Sequence, residues 1–289
     1  MGHTISVQSP DPRSLTLSIT VQRQPGSSGI DPFYSDFVTG MEDRMRSERG
    51  SVLLRVVDSA DEEIADYHRW AADGLVDGVV VHDFVVDDAR IALVARLGLP
   101  AVSLGGDADS GVPTVAVDNV QAMHDAVAYL VGLGHRRIGR VAGPADLLHI
   151  AERGEAFSAA LDGFGAIGMT RAGDYGEDSG AAATRDMLRA AEPPTAILYD
   201  NTRTAIAGLQ VAAELGIAVP GEVSLLAWDD SAECQLTDPP LSVVDRDVRS
   251  LGYATASTLL DVIEGRTISV VRAADAVVVE RGSTAPPAR

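Results

Sequence analysis

The stretch Asp77–Gly106 reads DGVVVHDFVVDDARIALVARLGLPAVSLGG and contains a complete strand–helix–strand unit. The short apolar runs GVVV and PAVSL near its two ends are typical of buried strands. Between them, DDARIALVARLG has the apolar pattern of a helix. This alternation predicts two parallel strands joined by a crossover helix.

The same alternation extends along most of the chain in both directions. Upstream lie the strand SLTLSITV, the helix DPFYSDFVTGMEDRM and the strand SVLLRVV, and the rhythm starts again downstream at RRIGRVAGP. Two sets of about five strands, separated by helices of about ten to fifteen residues, predict two doubly wound α/β lobes with parallel sheets. The absence of a short repeat excludes a solenoid.

Length and composition agree with a globular protein of two domains. The chain has 289 residues, 46% of them hydrophobic, and a formal net charge of −19. So acidic a surface repels a phosphate backbone, which argues against nucleic-acid binding by this chain alone. The N-terminal MGHTISVQSPDPRS lacks the apolar core of a signal peptide, and no apolar run reaches membrane-spanning length. We therefore expect a cytoplasmic protein without membrane contact, the alternative being a secreted form stripped of its signal.

The sequence lacks the common catalytic signatures. It contains no G-x-S-x-G elbow, no Walker P-loop, no H-E-x-x-H and no G-x-G-x-x-G at the start of a helix. Cys234 is the single cysteine, and the six histidines are scattered without ligand spacing. We therefore expect no metal, no cofactor and no enzymatic activity.

Loops that directly follow the predicted strands are the candidate site, because open parallel sheets bind ligands at the carboxyl ends of their strands. These loops are polar, mixed in charge and interspersed with aromatic residues. Taken alone, Asp31 is well explained as a helix N-cap followed by Pro32, and Asp229 as part of a solvated turn. The loop residues are Asp31, Phe33, Tyr34, Asp58, His82, Asp83, Gly105, Gly106, Gly143, Pro144, Asp200, Asn201, Trp228, Asp229, Asp230, Asp245 and Arg246.

From about residue 14 to residue 284 the sequence resembles the effector-binding core of the lactose-repressor family of bacterial transcription regulators. Its blocks occur in the family's order, and they are specific in combination. They include DPFYSDFVTGMED (31–43), LGHRRIG (133–139), PTAILYDN (194–201), VPGEVSLLAWDD (219–230) and DPPLSVV (238–244).

The resemblance implies a periplasmic-binding-protein-like α/β fold, with two doubly wound parallel-sheet lobes joined by three crossovers. Residues 14–118 and 247–270 are expected to form the N-terminal lobe of the effector-binding core. Residues 119–246 and 271–285 are expected to form the C-terminal lobe. Fewer than twenty residues precede LTLSITV, and they show no helix-turn-helix pattern, so we expect the family's DNA-binding head to be absent from this chain.

The resemblance also implies roles for single residues in the cleft between the lobes. Arg153 matches an arginine that binds polar groups of the effector, and Asp229 an acid that accepts hydrogen bonds from it. Trp228 stands where Phe or Tyr is usual and offers a second aromatic face, although its strand position is also compatible with burial. The expected effector-binding residues are Asp31, Phe33, Tyr34, His82, Arg153, Asn201, Trp228, Asp229 and Arg246.

The function implied is ligand-sensing regulation of transcription. A small polar molecule, most simply a sugar, is expected to close the cleft of a homodimer that reaches operator DNA only through the missing N-terminal head. The alternative from another class is a periplasmic-type sugar-binding protein of a transport system. An enzyme is the third alternative, and turnover of the bound ligand would reveal it.

Overall fold

The computed structural model describes residues 14–23, 29–107 and 111–288. Residues 1–13, for which the sequence predicts neither a signal peptide nor a helix-turn-helix, lie outside the described residues. The strands are β1 (Thr16–Gln22), β2 (Ser51–Val57), β3 (Gly78–Val81), β4 (Ala101–Leu104), β5 (Thr114–Ala116), β6 (Arg137–Ala142), β7 (Ile167–Ala172), β8 (Ala196–Tyr199), β9 (Ser224–Trp228), β10 (Ser242–Asp245), β11 (Val270–Arg272) and β12 (Val277–Val279). The α-helices are α1 (Pro32–Met45), α2 (Ala60–Asp73), α3 (Arg90–Leu97), α4 (Asn119–Leu133), α5 (Leu148–Phe164), α6 (Glu177–Leu188), α7 (Thr202–Glu214), α8 (Ala232–Leu236) and α9 (Val248–Ile263).

Within the described residues these strands form two sheets of six strands each. The first sheet has the order β11-β5-β4-β3-β1-β2, and the second has the order β12-β10-β9-β8-β6-β7. All neighbouring strands are parallel except β12, which runs antiparallel to β10. The chain passes between the sheets from β5 to α4, from β10 to α9 and from β11 to β12, so the predicted fold of two lobes joined by three crossovers is confirmed.

Each sheet has one strand more than the sequence pattern predicts, and both additional strands lie at sheet edges. Strand β7 has largely exposed side chains and contains a glycine and an arginine, so its apolar signal is weak. Strand β11 is three residues long and equally poor in buried side chains. Because β11 pairs with β5, the limit of residue 270 predicted for the N-terminal lobe falls at the start of this strand.

Helices cover both faces of each sheet. In the N-terminal lobe α1 and α9 pack on one face and α2 and α3 on the other. In the C-terminal lobe the corresponding pairs are α4 with α5 and α6 with α7. Helices α1 and α9 approach so closely that a β-carbon on Gly252 would lie 2.0 Å from the carbonyl oxygen of Phe37. This contact ties the start of α1 to the crossover that precedes α9.

Candidate functional site

A cavity of about 370 Å³ lies between the two lobes, at the carboxyl ends of both parallel sheets. Its walls are the loops that follow the central strands and the first turns of α1, α5 and α7. Eight of the nine residues expected to bind the effector line it. They are Asp31, Phe33, Tyr34 and His82 from the N-terminal lobe, Arg153, Asn201 and Asp229 from the C-terminal lobe, and Arg246 from the crossover before α9.

Trp228 is the exception, and the expectation that it contacts the effector is corrected. Its side chain is fully buried in the core between the second sheet and helices α4 and α5. The alternation of side chains along β9 points it into this layer rather than toward the cavity. The guanidinium carbon of Arg153 lies 4.1 Å from the centre of the indole rings. Trp228 therefore contacts the guanidinium of Arg153 through a cation–π interaction and helps to hold it in position.

Arg153 is a buried guanidinium held by neutral acceptors. Its side chain donates from Nε to Asn119 Oδ1 at 3.1 Å and from Nη1 to the carbonyl oxygen of Asp200 at 3.3 Å. Within the described residues no carboxylate forms an ion pair with it. Burial, together with the positive charge of Arg246, lowers the pKa of Arg153. The arrangement leaves guanidinium donors for a ligand in the cavity.

Asp229 and Arg246 form a bidentate ion pair in the wall of the cavity. Arg246 donates from Nε and Nη2 to the two carboxylate oxygens of Asp229, each at 2.7 Å. Burial alone would lower the pKa of Arg246, but the charge of Asp229 outweighs it and raises that pKa. Asp229 adopts a left-handed backbone conformation, with φ of 66°, directly after β9. Asp229, which was predicted to accept hydrogen bonds from the effector, therefore already accepts them from Arg246. The guanidinium carbon of Arg246 also lies 5.5 Å from the centre of the Phe33 ring.

Asp31 and Asn201 are both helix N-caps, and they meet across the cleft. Asp31 Oδ1 accepts from Phe33 N at the start of α1, and Asn201 Oδ1 accepts from Thr204 N at the start of α7. The amide nitrogen of Asn201 donates to Asp31 Oδ2 at 3.0 Å. Burial raises the pKa of Asp31.

His82 and Asp83 follow β3, and their side chains lie beside each other. His82 Nε2 lies 2.7 Å from the carbonyl oxygen of Thr20, and its Nδ1 lies 3.2 Å from Asp83 Oδ2. Both ring nitrogens therefore face acceptors, as in a protonated imidazole. Burial alone would lower the pKa of His82, but the charge of Asp83 outweighs it and raises that pKa. Burial alone would raise the pKa of Asp83, but His82 holds it well below its usual range.

Several further polar residues line the cavity without having been identified from the sequence, among them His149, Tyr175 and Asn119. Tyr34 donates its hydroxyl to Asp83 Oδ2 at 2.7 Å, and on the opposite wall His149 Nε2 lies 2.9 Å from the hydroxyl of Tyr175. His149 Nδ1 lies 3.9 Å from Asp83 Oδ1, so the two walls nearly touch. His149 precedes Arg153 by four residues, a helical spacing that could have revealed it, whereas Tyr175 follows the overlooked strand β7. Asn119 is the first residue of α4, and its Oδ1 accepts from Arg153 Nε.

The lobes touch each other at the mouth of the cavity. Leu148 N donates to the carbonyl oxygen of Phe84 at 2.8 Å, and Val85 forms a single antiparallel bridge with Leu147. Arg203 donates to the carbonyl oxygen of Ile30 at 3.2 Å on another side. These contacts, with the bond from Asn201 to Asp31, define a closed arrangement of the two lobes.

Among residues 14–23, 29–107 and 111–288, no group of three or more His, Cys, Asp or Glu side chains is arranged to hold a metal ion. The same residues include no helix with the length and apolar composition needed to cross a bilayer.

Comparison with known proteins gives consistent results. The family described as periplasmic binding protein-like domain matches residues 127–284. The regulator CelR of Thermobifida fusca is 29% identical over 266 residues, which cover 90% of this chain and 78% of CelR. The repressor CytR of Escherichia coli (strain K12) is 27% identical, over 88% of this chain and 76% of CytR. Both are named as helix-turn-helix transcriptional regulators.

Solved structures agree with the sequence comparisons. A LacI family transcriptional regulator from Bifidobacterium animalis subsp. lactis is 30% identical and superimposes with a TM-score of 0.85, over 94% of this chain and 98% of the other. A complex of the transcriptional regulator CelR with cellobiose is 28% identical with a TM-score of 0.82, over 95% of this chain and 86% of the other. The relatives are regulators rather than transport proteins. The chain belongs to the LacI family of transcriptional regulators and contains the family's ligand-sensing core, built on the periplasmic-binding-protein-like fold.

Proposed function

We propose that this core senses a sugar, which binds in the cavity between the lobes. The observation that carries the proposal is the pairing of aromatic side chains with polar groups in one closed cleft. Phe33 and Tyr34 lie on the α1 side, and the guanidinium of Arg153 lies on the α5 side. A pyranose has apolar ring faces and a rim of hydroxyl groups, so it needs both kinds of contact.

The charges of the cavity favour an uncharged ligand. Most carboxylates in its wall already have a cationic partner, so a ligand carboxylate would compete with them. Arg153 supplies donors for hydroxyl oxygens, and hydroxyl groups can in turn donate to the free lone pairs of the carboxylates. The internal pairs are Asp229 with Arg246, Asp83 with His82 and Asp200 with Arg140.

Cavity size and a relative's ligand narrow the choice of sugar. A volume of about 370 Å³ lies within the range of small-molecule sites, which is roughly 300–1,000 Å³. The structure of the similar regulator CelR contains cellobiose. We therefore propose a sugar of one or two rings, with cellobiose as the first compound to test.

Binding is proposed to act through closure of the cleft. The N-terminal lobe supplies Asp31, Phe33 and Tyr34, and the C-terminal lobe supplies Arg153 and Asp229. A ligand that contacts both sets favours the closed arrangement and shifts the population toward it. We propose that residues 14–118 and 247–270 belong to one moving lobe and residues 119–246 and 271–285 to the other. Because β11 pairs with β5 as far as Arg272, we place the return between the lobes two residues later than this limit.

The biological setting of the core is also a proposal. We propose that the core acts in the cytoplasm as a homodimer, that it reaches a two-fold operator through an N-terminal DNA-binding head, and that it does not convert its ligand. Sedimentation at tens of micromolar tests the dimer. Analysis of the ligand after prolonged incubation tests turnover, and a changed ligand would indicate an enzyme.

Isothermal calorimetry tests the ligand class. The panel contains cellobiose, maltose, glucose, ribose, a nucleoside and an amino acid, each titrated into the wild-type protein. We expect saturable binding of at least one sugar and none of the amino acid. Binding of the nucleoside or the amino acid alone would contradict a sugar effector.

A further inference from the structure

Arg90, the first residue of α3, lies outside the cavity but contacts the turn that forms part of its wall. Its Nη2 donates to the carbonyl oxygens of His82 at 2.8 Å and of Asp83 at 3.0 Å. Asp83 has a left-handed backbone conformation, with φ of 51°, which a residue other than glycine adopts at a cost. Because Nη2 has two hydrogens and donates one of them to Asp88, the other is shared between the two carbonyl oxygens in a three-centre hydrogen bond, which holds the turn in this conformation.

Two acids hold Arg90 itself in place. Its Nε and Nη2 donate to the two carboxylate oxygens of Asp88, at 3.0 and 2.7 Å, and its Nη1 donates to both oxygens of Glu63 at 3.1 Å. The side chains of Glu63 and Asp88 are 7% exposed, and that of Arg90 is 14% exposed. A partly buried guanidinium with two bidentate carboxylates has little rotational freedom, so it is a rigid support.

The supported turn is one of the parts of the N-terminal lobe that the C-terminal lobe contacts in the closed arrangement. Its Asp83 carboxylate accepts from Tyr34 and lies 3.9 Å from His149 of the opposite lobe. The carbonyl oxygen of Phe84, the next residue, accepts from Leu148 N at 2.8 Å. A change in this turn would therefore alter the cavity wall and the contact between lobes together.

We propose that Arg90 is a positioning residue for the effector cleft, which fixes the His82–Asp83 turn so that Asp83 faces the opposite lobe. The expected effect of Arg90 on effector affinity rests on the proposed function. Its structural part, the position of Asp83 relative to His82, is independent of any ligand. Binding sites depend on such supporting contacts because small displacements of a contact group weaken its hydrogen bonds.

The test compares Arg90→Lys with a matched control, Arg55→Lys. A lysine retains the charge near Glu63 and Asp88, but one ammonium cannot also bind both carbonyl oxygens. Arg55 forms a similar ion pair with Asp66 at 2.7 Å in the same lobe, away from the turn. Should Arg90→Lys fail to fold, Asp88→Asn weakens the support more mildly and is expected to act in the same direction.

Two measurements are made on each variant. The first is the titration of the His82 ring by NMR in the protein without effector, and the second is the dissociation constant for cellobiose by calorimetry. In Arg90→Lys we expect the His82 midpoint to move down toward the ordinary value of about 6.5, because Asp83 is less firmly held beside it. We expect cellobiose affinity to fall by about tenfold. Arg55→Lys is expected to change neither.

A double-mutant cycle separates positioning from a general loss of stability. If Arg90 acts through the turn, adding Arg90→Lys to Asp83→Asn weakens cellobiose binding by much less than it does alone. Additive effects, or a His82 titration that Arg90→Lys leaves unchanged, would overturn the proposal. If the wild type binds another sugar of the panel instead, that sugar replaces cellobiose in these titrations. If it binds none, the proposed function fails, and the His82 titration alone decides whether Arg90 positions the turn.

Discussion

The side-chain amide of Asn201 donates to the carboxylate of Asp31 across the cleft at 3.0 Å, although 170 positions separate the two residues. Each residue also caps a helix of its own lobe, α1 for Asp31 and α7 for Asn201. Two helix starts are thereby joined through their capping side chains. The two side chains that join the lobes in the closed arrangement are therefore already oriented by the helices that they cap.

Asn201→Asp is expected to open the cleft. Aspartate caps a helix as well as asparagine does, so α7 should persist, but two carboxylates would then face each other where a hydrogen bond exists now. Small-angle X-ray scattering should show a larger radius of gyration than for the wild type. Asn201→Ser retains the cap without the repulsion and serves as the control, with a smaller change. Identical scattering from all three proteins would show that this bond does not hold the lobes together.

Arg153→Met is expected to abolish most effector binding. Methionine can still pack on Trp228, but it removes the guanidinium donors from a buried wall of the cavity. Loss of one charged hydrogen-bonding partner in a buried site costs about 2–5 kcal/mol, which is roughly thirtyfold or more in affinity. Calorimetry with the sugar that binds the wild type measures the loss. Arg171→Met, in the edge strand β7, is the control. Equal affinity of the two variants would show that Arg153 does not bind the effector.

The structure also changes what Arg153→Ala should do to stability. From the sequence alone, that substitution is expected to leave the melting temperature within a few degrees of the wild type. Because Arg153 packs on Trp228 and bonds to Asn119, we now expect Arg153→Ala to melt at a lower temperature than Arg153→Met. Thermal unfolding of the two variants without ligand makes the comparison, and equal melting temperatures would contradict it.

The closed arrangement is expected to lose stability in mild acid through His149. Burial, together with the charge of Arg153, lowers the pKa of His149 to about 3. Since this value lies below the ordinary pKa of about 6.5, the contribution is fully present above pH 6.5 and is lost as the pH falls toward 3. Between about pH 7.5 and about pH 5.5 the loss should be about 1.4 kcal/mol in the free energy of unfolding.

Urea unfolding at these two pH values, for the wild type and for His149→Gln, measures the contribution of His149. The variant lacks the titrating ring, so its free energy of unfolding should fall less over the interval. The raised pKa of His82 contributes in the opposite sense, with stability present below about pH 6.5, and it is common to both proteins. Parallel pH dependences would show that His149 is not desolvated in the folded protein.

Gly252→Ala is expected to disrupt the packing of α1 against α9. The new methyl carbon would lie 2.0 Å from the carbonyl oxygen of Phe37, so one helix must shift. Overpacking of this kind costs about 3 kcal/mol, because the obstacle is backbone rather than a flexible side chain. Gly132→Ala in α4 meets no atom within 4 Å and should leave stability unchanged or raise it by at most about 1 kcal/mol. Chemical unfolding measures the free energy of unfolding of both variants. Equal values for the two would contradict the prediction.

The sequence by itself determined the layered α/β fold, because buried parallel strands and amphipathic helices produce apolar patterns of different period. Once the strands were predicted, the loops after them could be identified as the candidate site, because the carboxyl ends of parallel strands lie at the same edge of a sheet. Strand β7 escaped prediction because its side chains at the sheet edge are largely exposed, and Tyr175 was overlooked with it. The pattern of apolar residues along a sequence reflects burial, so a strand with few buried side chains is hard to predict from it.

Only the tertiary structure decided which polar residues pair with each other and which remain available. Asp229 and Arg246 are neighbours in space because β9 and β10 are adjacent strands, and their charges largely neutralise each other. Trp228 and Asp229 are consecutive residues, yet one lies in the core and the other in the cavity wall, because the chain turns left-handed at Asp229 directly after β9. Sequence spacing specifies on which face of a strand or helix a residue lies, whereas contacts between distant segments depend on how the two lobes pack.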